Sequence, residues 1–238
     1  TVGTTALIAA DEAKAQAKGS AFSFKEVEVG VDENHHVAEG YDAGVLLRGG
    51  DPLFPDAPEF DPARQTPEAQ AKQFGYNNDF IGYTPLPGAA DPSAHGLLFV
   101  NHEYTNPHLM FPGVVEIKDG KAIMKSATKE RAEIEMMAHG ATVAEIRKTN
   151  GKWALVRDSK YNRRITVATE MQLTGPVAGS DRVKTNADAT GKKVFGTINN
   201  CAAAPTPNTQ VHMNGPNVRS WKPAPKLVVR SSSPWRSS

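Results

Sequence analysis

Two strand-like segments, Thr142-Val-Ala-Glu-Ile-Arg147 and Lys152-Trp-Ala-Leu-Val-Arg157, flank the dipeptide Asn150-Gly151. No other feature constrains the fold of this chain as much. Asn-Gly accepts φ > 0 at both central positions, which suits the tight turn whose twist matches that of the strands it joins. The same device recurs at Val114-Val-Glu-Ile117, Asp119-Gly120 and Lys121-Ala-Ile123. Further strands are predicted at Phe22–Val29, at Gly96–Val100 running into Asn101-His102-Glu103, and at Lys193–Ile198 ending at Asn199-Asn200-Cys201. Ala127–Met137 is rich in helix formers and has Gly140 as a stop, so it predicts one short helix. Five prolines between residues 51 and 69 make that stretch a long loop. The expected fold is mainly β, built of antiparallel strands with one short helix and long loops. A sandwich and a propeller both satisfy this pattern, and no repeat of fixed period separates them.

Charge divides the chain. The formal net charge is +1, from 27 basic and 26 acidic residues. From Ala202 to Ser238 there is no acid, and Arg219, Lys222, Lys226, Arg230 and Arg236 give +5, so residues 1–201 carry −4. The 202–238 segment has six prolines and six serines and, apart from Leu227-Val-Val229, no periodic apolar pattern. Such a composition does not bury enough surface to offset its ordering entropy, so a disordered basic tail is expected there. It reads either as an interaction arm or as an out-of-frame or truncated end. Residues 1–21 form a leader whose first ten residues suit both the end of a secretory signal and a frayed terminus. A slightly acidic folded part argues against a nucleic-acid partner. No apolar run reaches the length of a membrane span. A single cysteine excludes an internal disulfide framework.

Chemistry-bearing residues gather in three clusters: Gly75-Tyr-Asn-Asn-Asp-Phe80, Asn101-His-Glu-Tyr104 and Asn199-Asn-Cys201. Amide and carboxylate oxygens suit hard cations such as Ca²⁺, and a thiolate suits iron or zinc. Taken singly, each cluster has a plainer reading: a turn, a polar strand end, a small buried cysteine. Tyr161-Asn-Arg-Arg164 offers guanidinium groups that match phosphate oxygens, although paired arginines more often face solvent. Phosphate-loop, dinucleotide, nucleophile-elbow and His-Glu-x-x-His motifs are absent.

Together these segments resemble the PhoX family of alkaline phosphatases. The resemblance runs in family order over residues 22–201. It rests on Tyr41–Arg48, Gly50–Phe54, Phe74–Phe80, Leu98–Asn106, Trp153–Asp158, Tyr161–Thr166 and Gly196–Cys201. It implies a partial β-propeller, with residues 22–201 as the N-terminal part of a longer, monomeric enzyme. The implied enzyme hydrolyses phosphate monoesters and is exported to the periplasm or beyond by a twin-arginine signal. Calcium and iron are the implied cofactors. Cys201 matches the iron-ligand cysteine, Glu103 a metal carboxylate, Asn78 and Asp79 calcium-side oxygens, and Arg164 a phosphate contact. No residue is singled out as the nucleophile. After Cys201 the Gly-rich continuation of the family is replaced by Ala202-Ala-Ala-Pro-Thr-Pro207. The expectation is therefore a frame-shifted fragment, inactive by itself. The alternative is a non-catalytic β-rich binding domain with a basic arm.

Overall fold

A computed structural model describes residues 25–125, 127–205 and 211–214. The chain separates into two units, Thr1–Val45 and Leu46–Ser238. In the first unit residues 25–31 form no strand, and Val27, Val29 and Val31 are exposed. Val27, Val29 and Val31 alternate as a strand face would, but that face is left exposed and no strand forms in the described part. A local turn there is held by Asp32, whose carboxylate accepts from the Asn34 N–H at 2.7 Å and pairs with His36 at 2.6 Å.

The second unit is built on one five-stranded antiparallel sheet. Its strands are β1 (Asn78–Pro85), β2 (His95–His102), β5 (Gly140–Thr149), β6 (Lys152–Leu155) and β7 (Arg163–Ile165). β2 lies between β1 and β5, and the far side of β5 pairs first with β7 and then with β6. The Asn150-Gly151 hairpin forms as expected, with φ of 51° and 78° at the turn. β3 (Val115–Lys118) and β4 (Lys121–Met124) form the second predicted hairpin, turned by Asp119 and Gly120 at φ 53° and 71°.

The gap between β6 and β7 is bridged by a side chain. Asn162 Oδ1 accepts from the Glu145 N–H at 2.8 Å, between the stretches of β5 that pair with β7 and with β6. Its Nδ2 donates to the carbonyls of Val156 and Leu53. The amide thus stands in for a backbone rung and closes the loop against the sheet.

Three α-helices accompany the sheet among the described residues, against one expected. α1 (Pro67–Gln70) and α2 (Pro107–Met110) are single turns opened by proline at the first position, where its missing N–H is not needed. α3 (Lys129–Ala138) is the predicted helix, capped by Thr128 through the Arg131 N–H. Met110, Phe111, Val114, Ile134 and Ala138 form one core cluster. Leu53, Phe74 and Val100 form another, joined by Leu47, Phe54, Leu98 and Leu155.

β8 (Glu170–Gln172) pairs with β9 (Lys193–Phe195). The loop before β9 closes on Asp188, which accepts from Thr190, Lys192 and Lys193 N–H groups and from the Thr190 hydroxyl. β10 (Ala202–Pro205) pairs with β11 (Val211–Asn214). This corrects the expectation of an unstructured segment directly after Cys201. Backbone pairing between neighbouring segments orders them without any apolar periodicity, a gain that composition does not register. The leader and the remaining tail lie outside the described residues. No described helix is long and apolar enough to cross a membrane. The sheets are antiparallel and open, and no closed propeller forms among the described residues.

Candidate metal centre

Three segments far apart in sequence are tied together by backbone contacts. The first ends β2. Glu103 follows His102, and its N–H donates to the Asn77 carbonyl at 3.1 Å. The second opens β1, where Asn78 pairs with His102 and Ile81 with Val100. Asp79 and Phe80 together therefore face the single residue Asn101, a β-bulge. Bulges re-aim side chains and recur beside functional sites. The third segment follows β9. Asn200 is buried and donates to the Gly140 carbonyl at 3.1 Å, and Gly140 pairs with His102. Cys201 is thereby tied to the same corner of the sheet.

The result is that carboxylate oxygens of Asp79 and Glu103 and the Cys201 sulfur lie within 4.8 Å of one another. Ligands bind a single cation at about 2.0–2.6 Å, so two of them stand at most about twice that distance apart. The observed spacing admits a shared ion. Burial pushes the Glu103 carboxyl above its ordinary range, and the adjacent Asp79 carboxyl adds to this through a hydrogen bond and its charge. Two carboxylates and a sulfur held this close repel when ionised, and a cation between them removes the repulsion.

Left-handed backbone sets two of these segments. Asn77 has φ 53° and Asn199 φ 56°, each two residues before a donor. Asn tolerates this region better than other non-glycine residues. The motifs contain both asparagines, but composition alone does not distinguish a turn former from a ligand. Asn78 is exposed beside Asp79 and opens onto a cavity of ≈ 290 Å³ lined also by Gly75, Tyr76, Asn77 and Leu109. His102 turns away from the donors. It packs edge-on against Phe74 at 4.8 Å and meets the Thr142 hydroxyl at 2.8 Å. Burial, then the charge of Arg164, lowers its pKa well below the usual range, so it is neutral at pH 7.

Arg164 is not a phosphate contact in this structure. Its guanidinium is buried, and all five N–H groups donate to carbonyls, of Gln73, Ala141, Ile165, Met137 and His139, at 2.6–3.0 Å. A guanidinium has five donors, so none is left for a substrate. Burial pushes its pKa down to about 9, which still leaves it charged at pH 7. The sequence could not show this, because the carbonyls come from three separate places in the chain.

The model of the alkaline phosphatase PhoX family matches residues 22–210. The chain belongs to the PhoX alkaline phosphatase family. A search of curated proteins returned no match. Among solved structures, the chain is similar to PhoX of Pseudomonas fluorescens in complex with vanadate, a transition-state analogue. The two are 34% identical with a TM-score of 0.67, over 77% of this chain and 30% of that one. The chain thus spans less than a third of that PhoX. The family match also runs past Cys201 into the β10 region.

Proposed function

We propose that this PhoX-family chain contributes a metal centre to a phosphate monoesterase, with Asp79, Glu103 and Cys201 as ligands. The observation that carries this reading is the convergence of two carboxylates and the lone cysteine, from three segments, in a chain of a phosphatase family. The donor set is mixed. Carboxylate oxygens suit calcium, and a thiolate beside carboxylates suits iron. When bound, such cations offset the charge of a phosphate ester and polarise its P–O bonds. The chain's own part is to hold the donors: the bulge presents Asp79, the Asn77 carbonyl fixes Glu103, and Asn200 fixes Cys201. We further propose the rest of the family reading, namely a share of a β-propeller, action as a monomer, and a periplasmic or secreted location.

For this chain alone we expect cation binding without appreciable phosphomonoester turnover. Its best phosphate-binding candidate, Arg164, is spent on carbonyls. The test is metal analysis after reconstitution with iron and calcium, with p-nitrophenyl phosphate as substrate. Cys201→Ser should lose most of the iron while keeping calcium. Unchanged iron content would overturn the thiolate assignment, and robust turnover by the chain would overturn the expectation of inactivity.

A further inference from the structure

Asn101 is the described polar residue whose hydrogen bonds are least accounted for. It is completely buried, and neither Oδ1 nor Nδ2 has a hydrogen-bond partner. An amide can make four such bonds, and buried polar groups are nearly always satisfied. Leaving both ends of one empty in a central strand points to a ligand.

Its place in the sheet says which ligand. Alternate residues of a strand share a face. Leu98 and Val100 belong to the Phe74 cluster, and His102 stacks on Phe74. Asn101 therefore faces the other way, on the side that Glu103 continues. Across from it on β1 stands the bulge that carries Asp79. On its other flank it pairs with Ala141, next to the Gly140 that anchors Asn200 and hence Cys201. The orphaned amide is thus framed by all three donor segments.

We propose that Asn101 supplies a neutral oxygen ligand, through Oδ1, to the cation held by Asp79, Glu103 and Cys201. This rests on the cation-site reading above. Hard cations accept amide oxygens readily. Three anionic donors already repel one another, so a fourth ligand without charge completes the coordination without adding repulsion. That explains an amide at a position where a strand interior would otherwise take an apolar residue.

The test uses the full chain and Co²⁺ alone. The sulfur-to-cobalt charge-transfer band reports Cys201, and the d–d bands report the number of ligands. The unsubstituted chain should show both. Asn101→Leu should fold at least as well without metal, because it removes an unsatisfied amide. It should also bind Co²⁺ at least tenfold more weakly, with altered d–d bands. Asn101→Asp keeps an oxygen at the site; its charge repels the other donors in the metal-free site but attracts the cation, so it should bind Co²⁺ at least as tightly as the unsubstituted chain. It decides the matter if the leucine variant fails to fold, since tenfold weaker binding by a folded aspartate variant would overturn the proposal. Equal affinity and equal bands for Asn101→Leu would overturn the Asn101 role and leave the three-donor site standing. No Co²⁺ signal in the unsubstituted chain would overturn both.

Discussion

Arg164 shows how burial converts a residue that reads as a ligand clamp into a structural one. Its five carbonyl partners join the start of β5, the end of α3, Gln73 and β7. Lysine keeps the charge but offers three donors, so at least two carbonyls lose their partner. Each unsatisfied buried group costs about 1–3 kcal/mol. Arg164→Lys is therefore expected to lower stability by at least about 2 kcal/mol in urea unfolding. A change of only a few tenths would mean that water replaces the guanidinium without penalty. Asn199 makes a second residue-level case, because its φ of 56° is a conformation that β-branched residues strongly resist. Asn199→Gly should leave stability and cation affinity nearly unchanged, whereas Asn199→Val should cost about 1–2 kcal/mol and weaken cation binding. Equal behaviour of the two variants, followed by thermal melting and metal titration, would remove backbone conformation as the cause.

Between elements, the most informative contact is the carboxylate of Glu145 on β5. It joins His95 of β2 at 2.7 Å and the Ser159 hydroxyl, in the loop after β6, at 2.5 Å, with Arg147 at 3.9 Å. Burial pushes its pKa up, but the hydrogen bonds from Ser159 and His95 and the charges of His95 and Arg147 more than offset that. The carboxyl is held below its ordinary range. A carboxylate depressed in the fold stabilises above its unfolded pKa, and that stability is lost as pH falls through the folded value. Glu145→Gln should thus lower the urea midpoint at pH 7 by the worth of one or two charge-assisted bonds, about 1–3 kcal/mol. The gap between variant and parent should close as pH drops below about 4.5. A gap that stays constant from pH 7 to pH 3.5 would show that packing, not charge, links these elements.

At the scale of the whole molecule, the open sheet is the main liability. Among the described strands β1 hydrogen-bonds only to β2, with β10 near it but not paired to it. Ile81, in that edge strand, is 59% exposed, and the strand contains no lysine. The bulge with Asp79 and Pro85 guard the two ends of this edge, and the apolar stretch between them remains free to pair with other chains. Ile81→Lys is expected to reduce self-association in light scattering while leaving the melting temperature within a degree or two. Unchanged scattering would place the sticky surface elsewhere. Metal should oppose the same tendency, since a cation at Asp79 holds the start of β1 to β2 and to the segment after β9.

Much of this was legible in the residues. Asn-Gly and Asp-Gly fixed two hairpins, because a φ > 0 turn is a local property. The Ala127–Met137 composition marks the long helix, and the polar clusters that contain Asp79, Glu103 and Cys201 are visible as motifs. The limits fall where the physics is non-local. Arg164 and the donor residues look alike in sequence, since both are polar groups beside strands. Only the fold decides that one is ringed by carbonyls while the others face each other within 4.8 Å. The bulge at Asp79 and the orphaned amide of Asn101 likewise arise from contacts between distant segments. By itself, the sequence determined which residues turn, extend and carry chemistry, because those preferences act over a few neighbouring bonds. Tertiary structure alone decided which of the polar residues meet, because burial and register depend on chain that lies tens of residues away.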